Sequence, residues 1–414
     1  MIACLVRSLR LDAFTVLDVY SMCRKYTTCE LWRTGMDTEV LIAGAGPVGL
    51  VLAYELARRE IRCRVVDRAA GPAENSRALV VHCRTQELME AAGLRDRIAA
   101  RAIPVHGMRF SRGRIDLACI PFDLGPYTAI SLPQQETEAT LRSALAEKGV
   151  QVEWGAELTS ISQDADGATA SVGGQSIIAA YVVGCDGAHS ATRHVLGIPF
   201  EGDALPETVW MADAALEWDI DPDYARQFLH PDGALSVIPM PGGRWRLAAM
   251  ALPIAGDPSR EFFEAALSRR SGRAPARMTI GWMSAFRVNC RLAASYRKDR
   301  VFLAGDAAHI HSPIGGQGMN VGMQDAFSLG ARLAAALQGG DAGVLAGYEM
   351  ERRPAAAAVI RGNARITRLA MAKGRVPRFL RDHLMPRFLS LPPVSRRAGL
   401  AASGLLLPRP AAIA

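Results

Sequence analysis

Three clusters of glycine and carboxylate carry the chemistry this sequence can do. Gly44, Gly46 and Gly49 stand at G-x-G-x-x-G spacing in G-A-G-P-V-G, and Asp67 follows, with Arg68 beside it. The first glycine permits a tight turn, the second lets backbone approach a pyrophosphate, and the third lets a helix pack closely on a strand. A helix opening at Pro47 would aim its N-terminal N–H groups at the phosphates. Asp67 would accept from a ribose hydroxyl. This set marks a dinucleotide site and leaves flavin and nicotinamide both open.

The second cluster is Asp186-Gly187 in Y-V-V-G-C-D-G-A-H-S-A-T-R, residues 181–193. Alone it would be a turn, and its weight comes from the other two. The third is Gly305-Asp306 in R-V-F-L-A-G-D-A-A-H-I-H-S-P-I-G-G-Q-G-M-N-V-G-M-Q-D, residues 300–325. Asp306 could accept from a polyol hydroxyl. The bare N–H groups of the Gly-rich loop, and a helix starting near Met319, face a group that becomes negative.

These residues need elements to hold them. T-E-V-L-I-A reads as a strand whose continuous apolar run fits a parallel sheet buried on both faces. A helix with Leu50, Ala53, Leu56 and Ala57 on one face follows, then a strand over 62–67, completing a βαβ unit. Helical spacing covers 136–148, and strands are expected over 151–154 and 167–172. Between about 208 and 291 the pattern becomes short strand-like runs broken by Pro and Gly, expected as an inserted antiparallel sheet. Ala-rich helical sequence fills much of the remainder.

Length and composition set the bounds. The chain has 414 residues, half of them hydrophobic, enough for one large or two moderate domains. Its 48 Lys and Arg against 41 Asp and Glu leave a net charge of +7, read as spread along the chain. That is a mild attraction for anionic cofactors, without the aromatic-interleaved basic run of a nucleic-acid binder. The eight cysteines are scattered with no C-x-x-C pair, which fits reduced thiols and a cytoplasmic protein. No apolar run reaches the roughly 18 residues of a membrane span. Residues 1–35 show no clear period and are read as a non-native or disordered extension ahead of Met36, or else an added helix or targeting arm.

Taken in order, G-A-G-P-V-G, C-D-G-A-H-S-A-T-R and L-A-G-D-A-A-H-I-H-S-P-I-G-G-Q-G-M-N-V-G-M-Q-D-A resemble the FAD-dependent aromatic hydroxylases of the para-hydroxybenzoate hydroxylase fold, from about Met36 to Pro354. The stretch S-R-A-L-V-V-H-C-R-T-Q-E-L resembles the branch acting on polyketide phenols, phenylpropionates and rifamycin-type substrates. The resemblance implies an α/β protein. Its FAD-binding Rossmann-like domain would comprise 36–110, 130–205 and 290–354. A mainly antiparallel substrate sheet would comprise 111–129 and 206–289, with C-terminal helices over 355–414. Too few residues follow Pro354 for the thioredoxin-like domain that several members carry.

By the same resemblance, Gly44, Gly46, Pro47, Gly49, Asp67 and Arg68 hold the ADP half of FAD, and Arg84 and Gln134 contact the cofactor. Asp186 serves FAD and NAD(P)H, and Arg193 lies in the same motif. Asp306, Pro313, Gly316, Gly318, Met319 and Asn320 meet the ribityl chain and flavin ring. Arg77 and Pro313 stand nearest the reaction.

The implied chemistry is NAD(P)H reduction of the flavin, then O₂ capture as a C4a-hydroperoxide that hydroxylates an aromatic substrate. A monomer or homodimer is expected. The inserted sheet is expected to supply the pocket through Trp245, Trp282 and Phe286, or through Trp210, Met283 or Arg287. His309 and His311 are read as structural rather than as acid or base. Baeyer–Villiger or epoxidising chemistry shares every motif. A flavoprotein that only binds a phenol would keep the glycines without oxidising NAD(P)H. A halogenase would need a W-x-W-x-I-P segment, which the sequence lacks.

Overall fold

The computed structural model describes residues 35–410, apart from 76, 231–232, 252–255, 314, 371–373 and 375–378. The expectation for residues 1–35 therefore lies outside the described residues, Gly35 excepted. Strands are numbered along the chain. β1 (Thr38–Ala43) is buried at every position, as its unbroken apolar run requires. It pairs in parallel with β2 (Cys63–Asp67) on one side and β11 (Gln175–Gly184) on the other. β8 (Val152–Trp154) extends the sheet beyond β2, and β18 (Val301–Leu303) and β17 (Arg297–Lys298) extend it beyond β11. β9 (Leu158–Gln163) and β10 (Ala168–Val172) attach as an antiparallel hairpin at β11.

Helix α1 (Pro47–Ala57) is buried on almost every face, because it lies between this sheet, α3 (Gln134–Ala146) and α5 (Gly318–Leu337). A helix that is apolar all round is stable only in such a place. α2 (Cys83–Ala91) also packs on α5. A small sheet of β3 (Val80–Val81), β7 (Ala129–Ser131) and β4 (Ile103–Val105) bridges to the second large sheet.

The second sheet runs β19-β16-β12-β15-β14-β13-β5-β6. Its ribs are β12 (Phe200–Glu217) and β16 (Arg277–Ala293), of 18 and 17 residues. β13 (Tyr224–Phe228), β14 (Leu235–Met240) and β15 (Arg244–Ala251) continue it. The hairpin β5 (Gly107–Arg112) and β6 (Ile115–Pro121) closes one edge, and β19 (His309–Ile310) the other. The sheet is antiparallel except where β5 lies parallel to β13. It is larger than expected: residues 107–110, 200–205 and 290–293, assigned above to the cofactor part, belong to its strands. Side-chain alternation gives it two faces. Trp210, Ala212, Ala214, Trp245 and Leu247 pack under α4 (Arg260–Ser271) with Phe263 and Leu267. The opposite face looks towards the first domain. The chain finishes in α6 (Ala346–Ala370) and α7 (Pro392–Ala402). Among the described residues no helix is long and apolar enough to cross a membrane.

Candidate active site

The turn from β1 to α1 is set by two glycines that admit no side chain. Gly44 has φ +107°, and a Cβ on it would lie 2.3 Å from the Cys185 carbonyl oxygen. A Cβ on Gly49 would lie 1.9 Å from the Gly44 carbonyl oxygen. Gly46 differs: nothing lies within 4 Å of where its Cβ would be, and the residue borders a cavity. The space a side chain would fill is left for a bound group. Asp67 braces the same turn, its Oδ2 accepting from the Ala45 N–H at 2.7 Å and its Oδ1 from the Ala69 N–H at 2.8 Å. Each oxygen keeps a second lone pair. Arg68 is exposed beside it and does not line the cavity.

Asp186 ends β11 next to this turn. Its Oδ2 accepts from both the N–H and the Oγ1 of Thr192 at 2.9 Å, while its buried Oδ1 has no partner in the protein. Arg193 ties this segment to the third motif by donating to the Ala307 and Ala188 carbonyls at 2.8 Å. Its guanidinium stacks 3.9 Å from the centre of the Phe200 ring.

Asp306 projects into the cavity, and the protein encloses that space. Enclosure raises its carboxyl above the usual carboxylate range, and His309 and Arg77 pull it partly back. Behind it, His309 Nε2 meets Asp325 Oδ2 at 2.6 Å, and Arg352 Nε donates to Asp325 Oδ1 at 2.8 Å. The Gly305 N–H also donates to Asp325. Burial pushes the Asp325 carboxyl up, but His309 and then Arg352 outweigh it and hold the carboxyl below its ordinary value. His309 thus braces the Gly305-Asp306 turn through Asp325.

The loop before α5 is stitched from two sides. Asn320 accepts from the His82 N–H at 2.8 Å and donates to the carbonyls of Val80 and Gly316 at 2.8 and 3.0 Å. Its side chain is thereby committed to the loop, and its backbone N–H is what remains for a ligand. Gly315 and Gly316 have φ +86° and +62°, conformations that favour glycine. His82 Nε2 lies 2.9 Å from the Gly315 carbonyl. His311 bonds to Ser312 and Asn363. Burial lowers both imidazoles to about 4, so both are neutral at pH 7. Pro313, Gly316, Gly318 and Met319 all line the cavity.

That cavity, of about 970 Å³, runs from Gly46 and Asp306 to the second sheet and the C-terminal helices. Its sheet wall is apolar, including Met108, Phe110, Ile120, Phe122, Met211 and Phe286. Arg77 lines it with its guanidinium 4.8 Å from the centre of the Phe286 ring, and Gln134 lines it as well.

Other expected residues fall elsewhere. Trp210 and Trp245 point to the α4 side, into packed core, because alternation along β12 and β15 puts Met211 and Arg246 on the cavity side instead. Trp282, half buried, sits 5.8 Å from the Arg246 guanidinium, and Met283 is exposed; neither lines the cavity, whereas Arg287 does. The Arg84 guanidinium pairs with Glu87, and its N–H donates to the Ser403 carbonyl at 3.2 Å, away from the cavity.

Three contributors went unread in the sequence. His82 supports the loop, and a histidine after two apolar strand residues was the available signal. Arg246, 1% exposed, pairs twice with Asp213 at 2.7 Å and donates to the Arg77 and Ala78 carbonyls. The alternation R-W-R in β15 marks it as an inward charge. Finally, α7 supplies wall through Ala398, Ala401 and Ala402, tied down by Gln317 Nε2 donating to Ala401 at 2.7 Å.

A nucleotide cradle beside a buried acid, a glycine loop at a helix N-terminus and an apolar sheet wall define a dinucleotide-binding fold of the inserted-sheet kind. The model of the FAD binding domain family matches residues 37–363, and the chain belongs to that family. It is 39% identical over 356 residues to 6-methylpretetramide 4-monooxygenase of Streptomyces rimosus, covering 82% of this chain and 63% of that protein. It is 36% identical to pentachlorophenol 4-monooxygenase of Sphingobium chlorophenolicum, covering 82% and 66%. The chain thus spans about two thirds of the length of these curated relatives. Among solved structures, p-nitrophenol 4-monooxygenase PnpA from Pseudomonas putida DLL-E4 superposes with a TM-score of 0.80 at 26% identity, covering 90% of this chain and 99% of that one. OxyS anhydrotetracycline hydroxylase from Streptomyces rimosus gives 0.73 at 34%, covering 90% and 77%.

The residues fit FAD. The open space over Gly46 suits a pyrophosphate, and the unpartnered Asp186 Oδ1 suits a donor on the cofactor. The cavity between Asp306 and the α5 N-terminus suits the ribityl and ring portion.

Proposed function

We propose that the protein is a monooxygenase that uses FAD, NAD(P)H and O₂ to hydroxylate an aromatic substrate of phenolic or polyketide type. One observation carries this reading: a single cavity joins the nucleotide cradle to a large apolar sheet wall, so cofactor and a flat apolar substrate would share one space. The names of the relatives, tetracycline-type and chlorophenol monooxygenases, support it.

FAD, once bound, supplies hydride acceptance and oxygen transfer. The chain's own groups position and shield. Gly46 and the α1 N-terminus hold the pyrophosphate, Asp67 the adenosine ribose, and Asp306 a ribityl hydroxyl. The N–H groups at Gly318, Met319 and Asn320 and the dipole of α5 face the ring edge, where negative charge is stabilised. Pro313 and Arg77, which line the cavity, would help hold the ring, and Phe286 of β16 lies against the Arg77 guanidinium. Met108, Phe110 and Met211 exclude water from the substrate end. Gln134 and the Asp186 turn hold the cofactor's other edge. The protein acts in the cytoplasm as a monomer or homodimer.

The test is a spectrum of the purified protein, then NADH and NADPH oxidation in air with a panel of phenols and polyketide aromatics. A flavin spectrum, with oxidation accelerated by one substrate group and coupled to oxygen insertion, is the expected result. Bound flavin that neither nicotinamide reduces would overturn the monooxygenase reading, leaving a binding protein.

A further inference from the structure

The charge is less evenly spread than a reading of the whole chain suggests. Residues 355–414 hold ten arginines and one lysine against one acidic residue, Asp382, so the rest of the chain is on balance acidic. The same segment holds most of the large apolar side chains exposed among the described residues: Ile366, Phe379, Leu380, Phe388, Leu391 and Val394, with Phe388 60% exposed. Arg387, Arg396 and Arg397 are exposed alongside them. Two independent features, cationic charge and exposed apolar area, thus coincide on the last helices. Patches of that kind mark interaction sites.

The chemistry selects the partner. A second copy would bring one cationic face against another, which repels. Protruding aromatic and aliphatic groups on several short helices suit a fluid interface, where apolar groups sit at the acyl boundary and guanidiniums meet anionic phosphates. The helices Met385–Leu389 and Pro392–Ala402, of 5 and 11 residues, are long enough to lie on a bilayer and too short to span it. Ile366, Met385 and Leu406 of this surface also line the cavity, so the cavity opens on it.

We propose that this C-terminal surface binds the anionic headgroup face of a lipid bilayer, with Phe388 and its neighbours at the acyl boundary and Arg387, Arg396 and Arg397 on the headgroups. An apolar ligand dissolved in the bilayer then reaches the cavity without crossing bulk water.

The test sediments the full-length, FAD-loaded protein with vesicles of phosphatidylcholine alone or of phosphatidylcholine with phosphatidylglycerol. Pelleting is expected with the anionic vesicles only, and falls as salt screens the headgroups. The triple variant R387Q/R396Q/R397Q is expected to partition roughly a hundredfold less, at about fivefold per arginine. Phe388→Ser keeps the charge and should weaken binding several-fold. Unchanged flavin fluorescence and circular dichroism in both variants show that they fold. No pelleting with anionic vesicles, equal pelleting of wild type and triple variant, or a wild-type dimer that the triple variant splits would each overturn the proposal. The last would make the surface a protein interface.

Discussion

The nucleotide cradle and the sheet wall share one cavity but are built by different physics. At the cradle, positions are set by backbone: Gly44 and Gly49 leave no space for a Cβ, Asp67 holds N–H groups, and Asn320 makes three bonds to backbone, two at residues 80–82 and one at Gly316. At the wall, Met108, Phe110, Met211 and Phe286 act by shape and water exclusion, with few directional bonds. A site defined by backbone tolerates almost no substitution. One defined by apolar area can be reshaped while the fold persists, which suits a family whose members share a cofactor and differ in substrate.

That contrast can be tested, beginning with the most severe change. Gly49→Val puts a branched side chain onto the Gly44 carbonyl oxygen, an overpacking that costs about 3 kcal/mol or more. Loss of soluble protein, or of FAD binding on reconstitution, is expected; normal flavin content would refute the backbone argument. Trp245→Ala, on the α4 side of the sheet, is expected to lower stability by about 3 to 5 kcal/mol through a core cavity. In denaturant titration it should cut the midpoint while leaving the affinity of the remaining folded protein for FAD intact.

A pH series probes the loop beneath the cradle. His82 is held down at about 4 by burial, while the unfolded chain binds its proton near 6.5, so the unfolded state takes up more protons between these values. Stability from keeping His82 neutral is therefore present above about pH 6.5 and is lost progressively as pH falls towards 4, by about 3 kcal/mol. The melting temperature should drop over that window, and His82→Gln should flatten the drop. An unaltered pH slope in that variant would remove His82 from the account.

Asp306→Ala should weaken FAD by about 1.5 to 3 kcal/mol, since it deletes a charge-assisted hydrogen bond. Because enclosure raises this carboxyl in the ligand-free protein, its ionisation costs the apo wild type stability as pH rises, and the apo variant, freed of that cost, should melt slightly higher than apo wild type at neutral pH. Binding and stability then move in opposite directions, which titration followed by flavin fluorescence can separate. Smallest of all, Phe286→Ala should leave melting and flavin content near wild type while changing which aromatics accelerate NAD(P)H oxidation. A large stability loss there would mean that the wall is core after all.

The cradle was readable because its demands are local. Glycine spacing, a buried strand and a following acid lie within about thirty residues, and each states a backbone requirement. The antiparallel sheet was readable as a pattern, but its extent was not. Residues 107–110 join it by a parallel pairing with β13 that no local signal announces. The pocket residues were the hardest. An aromatic type announces burial without announcing a face, so Trp245 and Phe286 looked alike, and the register shift of β12 against β16 at Asp213 and Ala214 breaks a simple count of alternation. Arg84 looked available to a cofactor until its pairing with Glu87 and its place under Ser403 were visible. The wall supplied by α7 depends on chain returning from residue 398 onwards, a tertiary fact without a sequence mark.

The order of strands in the first sheet also says something about synthesis. β1, complete by residue 43, has one neighbour at 175–184, and that strand meets its own outer partner at 301–303. A ribosome adding roughly 5 to 20 residues per second leaves the β1 edge waiting about 7 to 28 seconds for β11. Through that interval an apolar strand edge lacks its partner, and the long β12 then waits in its turn for β16. The cavity that joins Gly46 to the Asp306 loop is therefore complete only after the ribosome has passed that loop.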